Sequence, residues 1–403
     1  MRALATALVC ALSLFARAAE AAPPAPCEAL ERTIAQAPRG PVFLASYPTA
    51  TIRALHGAAF LYDNAVAALA LIGCGNARDA DRIGDAMLLA LDHDRFWHDG
   101  RLRNAYQPGP ATDTPIKLSG WWDDKQNKWV EDPYQLGSDT GNMAWAMLTL
   151  LALARDGQGE KYRDGALRIA HWVETNFDSL APRGFMGGTF GDQPTPQINR
   201  WKSTEHNADV AAAFSELAVA YNDTHWREPE NQASAFVAAM WDRKCNCFAA
   251  GTTENGTTLN TTLALDAQIW PLLAVPGAAA RYRSVLATVQ RRMSVKGGLA
   301  YGIARGGVWT EGTEQAALLM KLLGNSPQKL LAAAERNRAP DGSYFATDTL
   351  SMSTGFDLET DPSQQRLYFR LPHLAALAWA ALAQQGFNPF TGMNALPVAL
   401  PSH

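Results

Sequence analysis

Residues 203–209 read Ser203-Thr204-Glu205-His206-Asn207-Ala208-Asp209, and an Ala-rich apolar run follows as far as Tyr221. A hydroxyl residue, then an acidic one, then an apolar stretch is the pattern of a helix N-terminus. It predicts a helix over Glu205–Tyr221. The same pattern recurs in both directions along the chain. Tyr62-Asp63-Asn64 opens one apolar run, and Ser138-Asp139-Thr140-Gly141-Asn142 opens another. Asp266-Ala267-Gln268-Ile269-Trp270 and Trp309-Thr310-Glu311-Gly312-Thr313-Glu314-Gln315 open two more.

Apolar residues at helical spacing predict helices at Phe60–Ile72, Arg78–Leu91, Gly141–Ala154, Tyr162–Asn176 and Pro229–Trp241. Further ones fall at Leu263–Leu273, Ala278–Met293, Glu311–Leu323, Pro327–Asn337 and Pro372–Gln385, and a weaker one at Cys27–Ala37 completes twelve. Strand signals are scarce and confined to the connections. The connections alternate: short at 73–77, 155–161, 222–228, 274–277 and 324–326, long at 92–140, 177–204, 242–262, 294–310 and 338–371. Short loops join antiparallel neighbours, so all the long ones leave from one end. The expected architecture is all-α, six helix hairpins closed into a ring with one end crowded by loops. An open solenoid is the alternative, disfavoured because no hairpin motif recurs at a fixed period.

The composition is that of a globular protein: 403 residues, 47% hydrophobic, 18% charged, net charge −4. That balance excludes a disordered chain and offers no basic footprint for nucleic acid. Arg2, the apolar run Ala3–Phe15 and Ala19-Glu20-Ala21 read as a secretory signal over residues 1–22. The remainder, 23–403, reads as one domain without a membrane span, monomeric, and secreted or periplasmic. Without Cys10 four cysteines remain. Cys27–Cys74 and Cys245–Cys247 are the favoured disulfides, and four buried thiols are the alternative.

Asp139 and Glu311 have an ordinary use as cap or first-turn residues. Asp63 and Asp266 sit among apolar neighbours, where a charge needs a partner or a task. Five such clusters at one mouth bring carboxyl groups from different helices to a common space. Trp97, Tyr106, Trp121, Trp122, Trp129, Tyr134, Trp201, Tyr301, Trp309, Tyr344 and Tyr368 populate the long connections. Aromatic faces with nearby carboxylates and amides suit sugar rings, and about half of these rings are expected to anchor their own loops.

Tyr62-Asp63-Asn64-Ala65, Gly141-Asn142-Met143-Ala144-Trp145 and the clusters at 203–207, 266–270 and 309–315 resemble the six-hairpin glycosidase superfamily. The resemblance covers about residues 60–385. It implies a single (α/α)6 barrel with a carbohydrate cleft at its mouth. The expected activity is a secreted glycoside hydrolase on a poly- or oligosaccharide, by an inverting acid/base mechanism. Glu205 is the expected general acid and Asp139 the base, with Glu311 and Asp63 in reserve. Tyr62, Asn142, Trp201, His206, Asn207, Asp266, Gln268 and Trp309 are expected to bind substrate. The first alternative is a lyase or sugar epimerase, with His206 and Tyr62 moving a proton at carbon and Arg200, Lys202 and Arg305 holding acidic sugars. The second is a non-catalytic carbohydrate-binding protein. No cofactor is expected. Asp123, Asp124 and Asp132 could offer oxygens to calcium, but a solvated loop is the simpler reading, so no metal is expected either.

Exported protein should begin near Ala22 and hold at least one disulfide. Mass spectrometry with and without reductant checks both; four alkylatable thiols in unreduced protein would contradict the pairing.

Overall fold

The computed structural model describes residues 25–155 and 159–394. The expected signal, residues 1–22, lies outside the described residues. Twelve helices carry the fold: α1 Pro26–Gln36, α2 Leu61–Gly73, α3 Ala77–Asp92, α4 Thr140–Leu153, α5 Gly159–Glu174 and α6 Thr204–Tyr221. They continue with α7 Arg227–Ala239, α8 Leu265–Ala274, α9 Val285–Met293, α10 Thr310–Leu322, α11 Gln328–Glu335 and α12 Leu374–Gln385. The even-numbered helices are inner. Each packs on the next, and α12 packs on α2, so their contacts form a closed cycle. Each odd-numbered helix packs outside an inner one, with α1 from the start of the chain against α12.

The two classes differ in sequence for a physical reason. Inner helices are largely buried and, beyond their polar first turns, mostly apolar; Leu374 to Ala383 of α12 is entirely buried. Their abundant alanines, such as Ala211, Ala212 and Ala213, let neighbouring axes approach closely. Outer helices are amphipathic. In α3 the buried residues Ala80, Ile83, Ala86, Met87, Ala90 and Leu91 fall three or four apart. The predicted helix Ala278–Met293 is two pieces, a single turn at Ala278–Arg281 and then α9. It breaks at Tyr282, which is buried against Trp241 and Phe248 at ring distances of 4.9 and 5.0 Å.

Ring closure is visible in the hydrogen bonds. The first N–H of each inner helix donates to a carbonyl in the connection leading to the next inner helix. Leu61 donates to Asn104 (2.9 Å), Thr140 to Gly187 (2.9 Å) and Thr204 to Ala250 (2.8 Å). Leu265 donates to Tyr301 (2.8 Å), Thr310 to Ala346 (3.0 Å), and Leu374 closes the cycle on Ser46 (2.9 Å). The long connections must therefore return to the N-terminal end of the ring. There they form short antiparallel pairs, as between Asp139 and Gly188. A Cβ at Gly188, whose φ is +112°, would collide with the Ser138 carbonyl, so only glycine fits.

A second device recurs at the fourth residue of four inner helices. Asn64 accepts from the Leu44 N–H (2.7 Å) and donates to the Leu44 and Phe60 carbonyls (3.0 Å each). Asn207 clamps Phe185 in the same way (2.9 and 3.0 Å) and donates to the Ser203 carbonyl (2.8 Å). Gln268 clamps Phe248 (2.8 and 2.9 Å) and donates to Ala264 (3.1 Å). Thr313 takes this place against Leu299. Both disulfides are formed, Cys27–Cys74 and Cys245–Cys247. No helix among the described residues is long and apolar enough to cross a membrane.

The last long connection holds one larger strand pair, β1 Ser351–Leu358 and β2 Asp361–Phe369, antiparallel with Ser351 opposite Phe369 and Ser353 opposite Leu367. It occupies the stretch 338–371, which the sequence marks as a long connection.

Gln268→Leu should keep the volume and leave the Phe248 N–H and carbonyl buried without partners. The expected loss is roughly 1–3 kcal/mol, read as a lower urea midpoint at unchanged slope.

Candidate active site

Six helix N-termini meet at one end of the ring, and the second residue of five of them faces a common cavity of about 490 Å³: Tyr62, Gly141, Glu205, Asp266 and Glu311. The neighbouring positions add Asp63, Asn142 and His206, with the cap residues Asp139, Trp309 and His373. All five carboxyl-bearing clusters thus reach one space. One helical turn deeper, Trp145 and Trp270 form the floor with Trp379 behind them; Trp145 lies 5.4 Å from Trp270 and 6.0 Å from Trp379. Glycine at 141 is required, since a Cβ there would lie 2.5 Å from the His206 ring.

The carboxyl groups have different surroundings. Glu311 Oε1 accepts from the Tyr62 hydroxyl (2.5 Å) and from Gln315 (3.2 Å), and Trp379 donates to that hydroxyl (2.8 Å). Its Oε2 has no hydrogen-bond partner in the protein and lies 3.9 Å from His373 Nδ1. Burial drives Glu311 up to about 7, although His373 and Tyr62 favour its charged form. His373 Nε2 contacts Asp63 Oδ2 at 3.2 Å, and its ring stacks on Tyr47 at 4.4 Å. Burial opposes the charge on His373, but Asp63 and Glu311 outweigh it and raise its affinity for a proton.

Glu205 is held well above the usual carboxyl range by loss of water and by Asp266, Asp209 and Glu311 around it. Asp266 interacts directly with Glu205 and accepts the Ala267 N–H at 2.6 Å. Burial raises Asp266 too, but the Ala267 N–H, Glu205 and Tyr301 all favour its ionised form. Glu205, with fewer groups favouring its charge, is the more readily protonated of the pair. Asp139 is driven up to about 8 by burial, with Glu359 adding to the shift and Arg366 opposing it. His206 moves the other way, down to about 4, because burial and Arg366 disfavour an imidazolium.

Of the residues expected to bind substrate, Tyr62, Asn142, Trp201, His206, Asp266 and Trp309 line the cavity. Asn207 and Gln268 do not: their amides are consumed by the clamps on Phe185 and Phe248. Lys202 is buried, paired with Asp178 at 2.7 Å, and Arg305 donates to backbone carbonyls of Arg291 and Arg292. Among the aromatics, Tyr134, Tyr301 and Tyr368 also face the cavity. Tyr106 and Tyr344 anchor their loops in the core, whereas Trp122 and Trp129 are exposed on a surface hairpin. Asp123 and Asp132 accept backbone N–H groups of their own turns.

Sequence reasoning missed Tyr47, Glu359, Arg366 and His373. Glu359 and Arg366 come from the β1–β2 hairpin. Its signal was the alternation Met352, Thr354, Phe356, Leu358, which is the period of a half-buried strand. Several polar atoms of the lining make no hydrogen bond within the protein: Asp139 Oδ1, His206 Nδ1 and the indole N–H groups of Trp270 and Trp309. Buried polar groups are normally paired with protein or water, so these atoms remain available to a ligand or to solvent.

The sequence matches no protein-family profile and no curated protein. Solved structures do match. One is a glycosidase variant in complex with glucose, at TM-score 0.59 and 14% identity over 90% of this chain and 96% of that one. Another is an alpha-amylase from Clostridium perfringens, at 0.63 and 11% over 90% and 98%. A third is a cellobiose 2-epimerase from Bacillus thermoamylovorans, at 0.56 and 11% over 89% and 95%. The likeness is one of fold over nearly the whole length of both partners, consistent with the resemblance to the six-hairpin glycosidases.

The raised carboxyls predict a pH effect with a definite sign. A carboxyl whose folded pKa exceeds its unfolded value stabilises below the unfolded value, and that contribution is lost as pH rises through the folded one. For Glu311 the window runs from about 4.3 unfolded to about 7 folded. Glu311→Gln should lose less stability than the wild type across that window, measured as urea midpoints at several pH values.

Proposed function

We propose that residues 23–403 form one (α/α)6 barrel domain, that the protein is exported, and that it hydrolyses a glycosidic bond. One arrangement carries the reading: a single aromatic cavity holds Glu205, whose carboxyl is pushed well above the usual range beside Asp266, and Glu311, one of whose oxygens has no hydrogen-bond partner in the protein. Glycoside hydrolysis needs one carboxyl to give a proton and another to take one.

In this mechanism the sugar ring packs against the indoles of the cavity. Glu205 delivers its proton to the glycosidic oxygen as the bond to the anomeric carbon breaks. Water attacks that carbon from the opposite face and gives its proton to Glu311 Oε2. Tyr62 and Gln315 hold the other oxygen of Glu311, and Asp63 holds His373 beside it. The base is thus moved from Asp139 to Glu311, because Tyr62 and Gln315 fix one oxygen of Glu311 while His373 and Tyr62 favour its charged form. Asp139, Asn142, His206, Trp201 and Trp309 bind the sugar. An inverting reaction requires the Glu205 and Glu311 carboxyl groups to stand roughly 6.5–9.5 Å apart, leaving room for the water.

A second reading has its own support. His206 is kept neutral with Nδ1 unpartnered, which suits a base that removes a proton from a sugar carbon, as an epimerase or lyase requires. A purely binding protein would need the aromatic floor but not two buried carboxyls with different partners.

Glu205→Gln should cost about 10²–10⁴-fold on a natural glycoside and less on aryl glycosides with good leaving groups, which need little protonation. Glu311→Gln should be slow on both. If Glu311→Gln is near wild type and Asp139→Asn is slow on both, the base returns to Asp139. In D₂O, carbon-bound deuterium in the product, or an ultraviolet-absorbing product, would replace hydrolysis by the second reading.

A further inference from the structure

A second cavity, of about 710 Å³, adjoins the one that holds the carboxyl groups. Trp201, Glu205, His206, Asp266 and Tyr301 line both. Tyr62, Asp63 and Glu311 line the first alone. In the hydrolase reading the anomeric carbon stands between Glu205 and Glu311, so the sugar whose bond breaks sits in the first cavity. The departing group takes the proton of Glu205 and lies beyond that residue. The space beyond Glu205 is the second cavity.

This second space has the chemistry of a sugar site in its own right. Phe190 and Phe356 offer apolar rings, and Glu254, Asp357 and Asn260 offer polar ends. The Trp201 indole packs on the bare backbone of Gly187, where a Cβ would lie 2.6 Å from the ring. It thereby stays in place while lining both cavities.

Asn199 is the most telling residue of the lobe. It is only 3% exposed, it lines the second cavity, and its Nδ2 makes no hydrogen bond within the protein. A buried amide donor without a protein partner is served by whatever fills the cavity it faces. Its position is fixed by backbone pairing. Asn199 stands in register with Gly188, and Gly188 stands in register with Asp139. Two strand spacings, about 10 Å, separate Asn199 from Asp139. Asp139 belongs to the first cavity and Asn199 to the second, so one small sheet supplies polar groups to both sides of Glu205.

We infer that the second cavity is the leaving-group lobe of the active site: a saccharide chain lies across Glu205, and the sugar that departs is bound in this lobe, where Asn199 Nδ2 donates to one of its hydroxyls. This rests on the hydrolase reading above and adds to it a binding site and a specificity-determining residue.

The test compares two substrates for each variant. One is an oligosaccharide prepared from a polysaccharide that the wild type cleaves. The other is the glycosyl fluoride of the same terminal sugar, whose leaving group is a single atom and leaves the lobe empty. Asn199→Ala should lower kcat/KM on the oligosaccharide by about 2–10-fold, the worth of one hydrogen bond, and leave the fluoride at the wild-type value. Phe356→Ala should act in the same direction, again on the oligosaccharide alone. The Asn199 amide nitrogen makes no bond within the protein, so Asn199→Ala should keep the wild-type circular dichroism spectrum. If it does not, Phe356→Ala, on the partly exposed hairpin, decides. Equal losses on both substrates would mark a structural role, and no loss on either would mark an idle cavity. Each of these results overturns the inference and leaves hydrolysis standing. A wild type that cleaves no glycoside would overturn the hydrolase reading, and this inference with it.

Discussion

The interaction on which this architecture depends is the hydrogen bond from the first N–H of each inner helix to the connection that leads to the next. A helix N-terminus leaves several donors without intrahelical partners. Here six such ends are crowded together, away from the bulk of solvent, and each must be served. Serving them from the following connection gives a cyclic order, and the bond from Leu374 to Ser46 joins the last element to the first. That single requirement explains why the long connections all lie at one end and why glycine stands at Gly188 and Gly251, where the backbones meet. It also explains why the mouth is walled by chain and not by helix.

The same convergence sets the chemistry. Six positive dipole ends favour acidic groups in the first turn, while the depth of the mouth disfavours their charge. The balance is decided locally by donors. Asp266 has a backbone N–H and Tyr301, Glu311 has Tyr62 and Gln315, and Glu205 has mostly acidic company. The fold supplies one repeated position, and the residue placed there and its immediate partners decide which carboxyl keeps a proton.

Much of this was legible because it is periodic. The helices, their pairing and the shared mouth follow from apolar spacing and loop length, and the two cysteine pairs from their number and proximity. Asn207 and Gln268 were misread because their neighbours invited it. Glu205 and Asn207 are two residues apart, as are Asp266 and Gln268 and also Tyr62 and Asn64. Two residues of helix turn a side chain by about 200°, so one member faces the cavity and the other faces the preceding connection. The pattern of a cavity residue, a spacer and a clamp residue is thus in the sequence, but it becomes readable only once the inward face is known. His373 and Tyr47 carried no such signal. One is a lone histidine before a helix and the other a lone tyrosine in a loop, and only ring closure brings them to Asp63.

The β1–β2 hairpin stands apart from the repeated frame, and this is where asymmetry must arise. A frame built of six equivalent joints offers no preferred direction across its mouth. Direction needs an element that appears once. The hairpin is that element: it leaves the frame at one joint, rests Arg366 against Tyr134 near the opposite one, and packs Tyr368 into the cluster around Tyr47. Its strands lie partly exposed, with little core of their own; only Met352 and Thr354 at the base are buried. Its place is therefore fixed by the walls it touches and not by an interior. Substitutions along its tip should change what the mouth admits long before they disturb the ring, because none of the six closing hydrogen bonds passes through it.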